Sequence, residues 1–180
     1  MKKLVLAAAI IAAPFAARAD TGLRIGLEAQ IASHDATTGT TWITDNWPLA
    51  GDVMLSYWTP GSIVSFDLEL SEQFFLSSSA GTGSGRIGTV VRPGVRISPP
   101  VIPLYIRGAL PINVETASGE RELLDLRLGA GFNIPLVLFK IYIEADVDFP
   151  LSSKTVGGGS QISAFNRQSI WLTSGLDFRF

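Results

Sequence analysis

Apolar and polar side chains alternate along eight segments of this 180-residue chain. In one of them, Phe139, Ile141 and Ile143 are interleaved with Tyr142 and Glu144. Because successive side chains of a β-strand point to opposite faces of its sheet, this alternation predicts strands with one apolar and one polar face. The segments cover residues 22–31, 49–58, 64–70, 87–97, 104–114, 123–134, 139–149 and 170–180.

The apolar faces of these segments carry no charged residue, and the opposite faces carry many. A soluble sandwich or lipocalin-like barrel would turn the apolar faces inward, whereas a transmembrane barrel turns them toward lipid and keeps the charges in its lumen. Most of the segments match the ~9–11 residues of a tilted membrane strand and exceed the ~5–6 residues usual in soluble sheets. Strand length therefore favours the transmembrane barrel.

The connections between segments alternate in length, and outward aromatic residues lie near segment ends. Tyr57 and Phe132 lie near short connections and Phe149 near a long one, at the depth where aromatic rings prefer a membrane interface. Short turns on one side and long loops on the other are typical of outer-membrane barrels. We therefore predict an all-β, eight-stranded, antiparallel, up-and-down transmembrane β-barrel. The short connections are residues 59–62, 98–103 and 135–138, and the long ones are 33–48, 72–85, 115–121 and 150–168.

The last segment, residues 170–180, alternates apolar residues and ends on Phe180. It resembles the C-terminal signature of bacterial outer-membrane β-barrel proteins, which the barrel-assembly machinery reads. With the strand number and loop rhythm, the chain resembles the small eight-stranded OmpA/OmpX-type class. This resemblance of architecture implies an outer-membrane location, contact with outer-membrane lipids including lipopolysaccharide, and recognition of the Phe180 strand by that machinery. It carries over no functional residue.

The first nineteen residues have the layout of a secretory signal peptide. Lys2 and Lys3 precede an apolar run at 4–13, and Ala17 and Ala19 supply small residues before a cut at Asp20. The run is too short to span a bilayer as a helix. We predict a signal peptide at 1–19 and an outer-membrane barrel at 20–180, with export to the outer membrane.

Composition excludes several other classes of protein. Hydrophobic residues make up 47% and charged residues 17% of the chain, the opposite of a disordered segment. A formal net charge of −2 offers no basic surface for nucleic acid. The absence of cysteine and the single histidine, His34, argue against thiolate or imidazole metal sites, so we expect neither a metal nor a cofactor.

Charges of both signs on the inward faces predict an ion-pair network in the lumen. An eight-stranded barrel has an interior just wide enough to be filled by side chains, and unpaired charges away from water are costly. We therefore predict a plugged barrel, although the sequence does not assign the pairs. The predicted network contains Arg24, Glu28, Asp67, Glu69, Arg92, Arg96, Arg107, Asp125, Arg127, Glu144, Asp146, Asp177 and Arg179.

Two prolines, Pro93 and Pro111, fall inside predicted strands. Each removes one hydrogen-bond donor from the ladder, and a closed barrel has no edge strand to accommodate the loss. We expect a bulge or a strand end near each of them.

The favoured function is structural or surface-interacting, by a monomer with four outward loops. Loop residues Trp42, Trp47 and Phe165 are candidates for contact with a partner. A narrow ion or solute channel is one alternative. A lipid A-modifying enzyme is another, with His34, Ser77 and Ser78 as candidates for catalysis on outer loops. The chain lacks the Gly-x-Ser-x-Gly nucleophile motif, and we expect no enzymatic activity.

Overall fold

A computed structural model describes residues 20–36, 38–43, 47–59, 61–76, 86–116, 120–155 and 167–180. These residues form ten β-strands, and all neighbouring strands run antiparallel. No helix in the described ranges is long and apolar enough to cross a membrane. The strands are β1 (Asp20–Asp35), β2 (Gly39–Trp42), β3 (Trp47–Trp58), β4 (Val64–Leu76), β5 (Arg86–Ile97), β6 (Leu104–Ala109), β7 (Ile112–Thr116), β8 (Glu120–Pro135), β9 (Lys140–Thr155) and β10 (Arg167–Arg179).

Eight strand positions close into a barrel. Each strand position pairs with the next one around the barrel, and β10 returns to pair with β1 from Gly22↔Arg179 to Asp35↔Arg167. Strands β6 and β7 occupy one position, because both lie between β5 and β8. The short β2 pairs with β1 beyond the start of β3. The predicted eight-stranded, up-and-down, antiparallel barrel is confirmed.

The two faces of the barrel wall reverse the arrangement of a soluble protein. Large apolar side chains such as Leu27, Phe66 and Ile106 are exposed on the outside. Charged side chains such as Arg92 and Glu144 are buried inside. Lipid chains solvate the first kind of surface and water does not, so the fold is that of a transmembrane barrel.

The two ends of the barrel differ in how their strands connect. At one end, the turn end, the connections after β3, β5 and β8 are short, and the N–H of Phe180 donates to the Thr21 carbonyl oxygen at 2.9 Å. At the other, the loop end, the strands run further than predicted: β1 reaches Asp35 and β9 reaches Thr155. The prediction of loops from residues 33 and 150 was therefore wrong. Polar pairs such as Arg121↔Lys154 continue the ladder there, and strands outside a membrane need no apolar alternation.

The two prolines meet at one interruption of the barrel wall. The β5–β6 ladder ends at Gly94↔Ala109 and the β5–β7 ladder starts at Val91↔Ile112, so Pro93 lies opposite the gap that contains Pro111. The strand end predicted near Pro111 is confirmed. Pro93 remains within β5, and its carbonyl oxygen accepts from the N–H of Leu110 at 2.9 Å. The two missing donors of Pro93 and Pro111 thus fall at one break in the ladder, between β6 and β7.

Glycines on the inward face make room for large side chains of other strands. A Cβ atom at Gly131 would overlap the ring of Tyr105, and one at Gly26 would overlap the hydroxyl of Tyr142. On the outward face, Gly51 has open space where its Cβ would lie. The inward glycines are therefore required by packing in the lumen.

We expect Gly131→Ala to reduce the free energy of unfolding by about 1–3 kcal/mol, the usual cost of overpacking. Gly51→Ala, also within a barrel strand, provides the control and should leave stability unchanged or raise it. Urea unfolding of the protein in lipid vesicles, followed by tryptophan fluorescence, measures both. Equal effects of the two substitutions would contradict the packing role of Gly131.

Candidate functional site

The lumen holds a set of buried charges from all eight strand positions of the barrel. Spacings of two or four residues, as between Arg92 and Arg96 on β5, keep side chains on the same inward face. Among the described residues, five arginines and nine carboxylates are buried in this way. They are Arg24, Glu28, Asp52, Asp67, Glu69, Arg92, Arg96, Arg107, Asp125, Arg127, Glu144, Asp146, Asp148 and Asp177.

Three carboxylates converge on one nitrogen atom of Arg92. Its Nη1 lies 2.7 Å from Glu28 Oε2, 2.5 Å from Glu69 Oε1 and 3.4 Å from Asp52 Oδ1. These carboxylates offer oxygens within 4.8 Å of one another, a grouping that is able to hold a hard cation. The Arg92 guanidinium contacts all three, so it supplies the positive charge that a metal ion would otherwise provide.

Arg127 forms a bidentate pair with Asp148, its cross-strand partner on β9. Arg127 Nε and Nη2 donate to the two Asp148 oxygens at 2.5 and 2.6 Å. Arg127 Nη2 also lies 2.6 Å from Glu28 Oε1, across the lumen on β1. Glu28 thus links Arg127 to Arg92, and β8 to β5, through a single carboxylate.

Arg107 extends the network toward the turn end. It contacts Glu69, lies 3.3 Å from Glu144 through Nη1, and lies 3.6 Å from Asp67 through Nε. Arg107 is on β6, whereas Glu69 and Glu144 are on β4 and β9, so both contacts pass over an intervening strand. These contacts join walls of the barrel that no backbone hydrogen bond connects.

Arg24 completes the chain of contacts. Its Nη1 lies 3.6 Å from Glu144 Oε2, and its Nη2 donates to Asp177 Oδ2 at 3.2 Å and to Asn133 Oδ1 at 3.1 Å. The ion pairs therefore run without a break from Asp148 to Asp177 through alternating arginines and carboxylates. In order, the linking residues are Arg127, Glu28, Arg92, Glu69, Arg107, Glu144 and Arg24.

Neutral side chains that the sequence analysis missed take part in the network. The Tyr105 hydroxyl donates to Glu144 at 2.6 Å and accepts from Arg24 Nη1 at 3.1 Å. The Arg24 guanidinium lies over the rings of Tyr105 and Tyr142, with its carbon 4.7 and 4.5 Å from their centroids. Asn133 also belongs to this group. Their signal in the sequence was their position on the inward, charge-bearing side of the alternation.

The structure places the predicted network residues in two settings. Twelve of them are buried in the lumen, where Asp52 and Asp148, absent from the predicted set, join them. Arg179 instead lies at the rim of the turn end with its side chain 37% exposed. It stacks on the Trp58 ring at 4.8 Å and lies 3.8 Å from Asp177 Oδ2.

Comparison with solved structures gives one informative match. The crystal structure of Neisserial surface protein A (NspA), an eight-stranded outer-membrane β-barrel, aligns with a TM-score of 0.50 over 89% of this chain and 97% of that chain. The chain has the fold of NspA. The sequence identity is 9%, so the likeness extends to the fold alone. No protein-family model and no curated protein sequence matches this chain.

The described candidates for catalysis and partner contact, His34, Trp42 and Trp47, lie at the loop end. His34 lies on β1 and not in a loop as predicted, because β1 stays paired with β10 through His34↔Gln168, and its Nδ1 lies 2.9 Å from Thr40 Oγ1. Trp42 and Trp47 are also strand residues, on β2 and at the start of β3, and both are exposed. Ser77, Ser78 and Phe165 lie outside the described residues.

We expect Arg92→Ala to destabilise the barrel by about 3–5 kcal/mol, because it leaves three buried carboxylates without their shared partner. Arg179→Ala is the control and should cost less than about 1 kcal/mol, since that side chain is partly exposed. Urea unfolding in vesicles measures both changes. A cost for Arg92→Ala no larger than that for Arg179→Ala would refute the central position of Arg92.

Lysine should replace Arg92 better than it replaces Arg127. All three ion contacts of Arg92 use one nitrogen, whereas Arg127 grips Asp148 with two, which an ammonium group does not reproduce. We expect Arg127→Lys to lose about 1.5–3 kcal/mol and Arg92→Lys to lose less. The same unfolding assay compares them, and the opposite order would show that the bidentate geometry is unimportant.

Proposed function

We propose that this protein is an outer-membrane surface barrel with a closed bore, acting in envelope structure or surface interaction through its loop end. The observation that carries the proposal is the lumen network. Each of its five buried arginines lies within 4 Å of a buried carboxylate. A barrel filled in this way is a rigid membrane anchor for whatever its outer end presents.

The network opposes conduction for two physical reasons. An ion that enters the lumen must separate buried pairs, and each separated charge then lacks both its partner and its water shell. The lining also mixes both signs along its length, whereas selective pores present rings of one sign. A closed bore therefore follows from the contacts more directly than a narrow channel does.

The outer-membrane location rests on two supports. The large apolar side chains exposed on the outer wall, such as Leu27, Phe66 and Ile106, require lipid around the barrel. The fold is also that of NspA, an outer-membrane protein. The turn end then faces the periplasm and the loop end faces outward, as in barrels with short periplasmic turns. We propose export through residues 1–19, a monomeric mature protein beginning at Asp20, and assembly through the Phe180 strand into a lipopolysaccharide-containing membrane.

The loop end is the surface available to a partner. Trp42 and Trp47 are exposed there, next to the polar ends of β1 and β9. Aromatic side chains at a rim supply contact area at low entropic cost. Four outward loops, including Phe165, would complete this surface.

Membrane fractionation tests the location. The mature protein should appear in the outer-membrane fraction, migrate differently on a gel before and after boiling, and have an intact mass that begins at Asp20. Recovery in the soluble fraction without detergent would overturn the location. A mass that retains residues 1–19 would overturn the cleavage.

Planar-bilayer recording tests the closed bore. We expect no stepwise conductance from the native protein, and an increase in Arg92→Ala/Arg107→Ala, which removes two central cations of the network. Large, reproducible steps from the native protein would favour the channel. A shift in lipid A mass on expression, lost in His34→Ala, would favour the enzyme.

A further inference from the structure

Two turns at the turn end expose large apolar side chains almost completely. Val101, in the connection between β5 and β6, is 90% exposed, and Val137 and Leu138, between β8 and β9, are 99% and 83% exposed. Residues 98–106 and 128–139 contain no charged residue. Exposed apolar groups in such a contiguous set mark a surface that is covered by something other than water.

The two turns are neighbours on the rim. Strand β6 pairs with β8 from Leu104↔Phe132, and the N–H of Asn133 donates to the Pro103 carbonyl oxygen at 2.8 Å. The third short connection, between β3 and β4, is less apolar. Its exposed residues include the polar or small Thr59, Gly61 and Ser62 as well as Ile63. The apolar surface therefore extends past the strands on one side of the barrel.

A groove of about 550 Å³ lies on the outer wall beside these turns. Its floor is the cross-strand pair Ala130↔Ala145, the smallest outward pair between β8 and β9 in this stretch. Ile106 pairs with Ala130 on one side, and Leu172 pairs with Ala145 on the other. Two alanines flanked by long side chains leave a depression that the barrel itself does not fill.

Pro99 and Ile102, from the turn between β5 and β6, line the same groove. The groove therefore joins the turn between β5 and β6 to the membrane-facing wall in one continuous apolar surface. A flexible hydrocarbon chain lying along the wall fits this shape, because it fills an irregular depression without polar partners. The continuity with the lipid-facing wall favours a lipid hydrocarbon chain as the occupant.

We propose that this groove and the two apolar turns hold one acyl chain of a phospholipid from the leaflet next to the turn end. The turns between β5 and β6 and between β8 and β9 lie in the hydrocarbon region of the membrane. The acyl chain packs against Ala130 and Ala145. The barrel thus sits deeper in the membrane on its β5–β9 side than on its β3–β4 side. This inference rests on the proposed membrane location and goes beyond the proposed function.

The depth of the turns is directly measurable, because the chain contains no cysteine. Nitroxide labels on Val101→Cys, Val137→Cys, Thr59→Cys and Val53→Cys are compared in phosphatidylethanolamine–phosphatidylglycerol vesicles, using oxygen as the apolar relaxant and a nickel chelate as the aqueous one. For each label, the ratio of its accessibility to oxygen over its accessibility to the chelate is measured. This ratio should be several-fold higher for the labels at 101 and 137 than for the label at 59.

The label at 53, on the outer wall of β3, separates two kinds of failure. If 53 lies in hydrocarbon while 101 and 137 are as aqueous as 59, the lipid site is overturned and the membrane barrel stands. If 53 is also aqueous, the membrane location itself fails.

Native mass spectrometry of detergent-purified protein tests whether the groove binds an acyl chain. The native protein should retain one phospholipid, and Ala145→Phe, which fills the groove from the exposed side, should retain several-fold less. Val53→Phe, an outward substitution away from the groove, is the matched control and should retain the native amount. Equal retention by the two variants, or a lipid-free dimer of the native protein, would overturn the site.

Discussion

Burial of charge inside a membrane protein is the constraint on which this structure depends. A guanidinium group in the lumen has little water around it, so it is stable only beside a carboxylate. Arg92, Arg127 and Arg107 meet this condition by sharing Glu28 and Glu69, so that each carboxylate serves two cations. The result is a connected network in which the strands hold one another through side chains as well as through the ladder.

The fold was predictable because a lipid-facing strand imposes a strict rule on its sequence. Every second residue between Phe139 and Phe149 must be compatible with hydrocarbon, and that rule is visible without coordinates. The strand ends at Asp35 and Thr155 were not predictable in this way, because outside the membrane both faces meet water. Where the environment no longer selects side chains by face, the pattern disappears although the ladder continues.

The members of the lumen network were largely predictable, but their partners were not. Alternation places Arg107 and Glu144 on the inward face, whereas their contact depends on the diameter of the closed barrel and the stagger of its strands. Tyr105 was not predicted as a member of the network because its side chain carries no charge, and the prediction was based on charged residues. Its hydroxyl nevertheless bridges Glu144 and Arg24. Arg179, in contrast, was predicted to belong to the network because the alternation places it on the inward side. That position falls at the rim, where the side chain is partly exposed.

The glycines opposite the lumen tyrosines have a consequence for how neighbouring strands align. Sliding one strand by two residues past the next would keep the apolar side chains of its alternating segment outside. Such a slip would, however, move Gly131 from beneath the Tyr105 ring and separate Glu69 from Arg92, its cross-strand partner. The apolar alternation of the outer face therefore does not select between such alignments, and packing in the bore, together with the short turns, distinguishes the correct one.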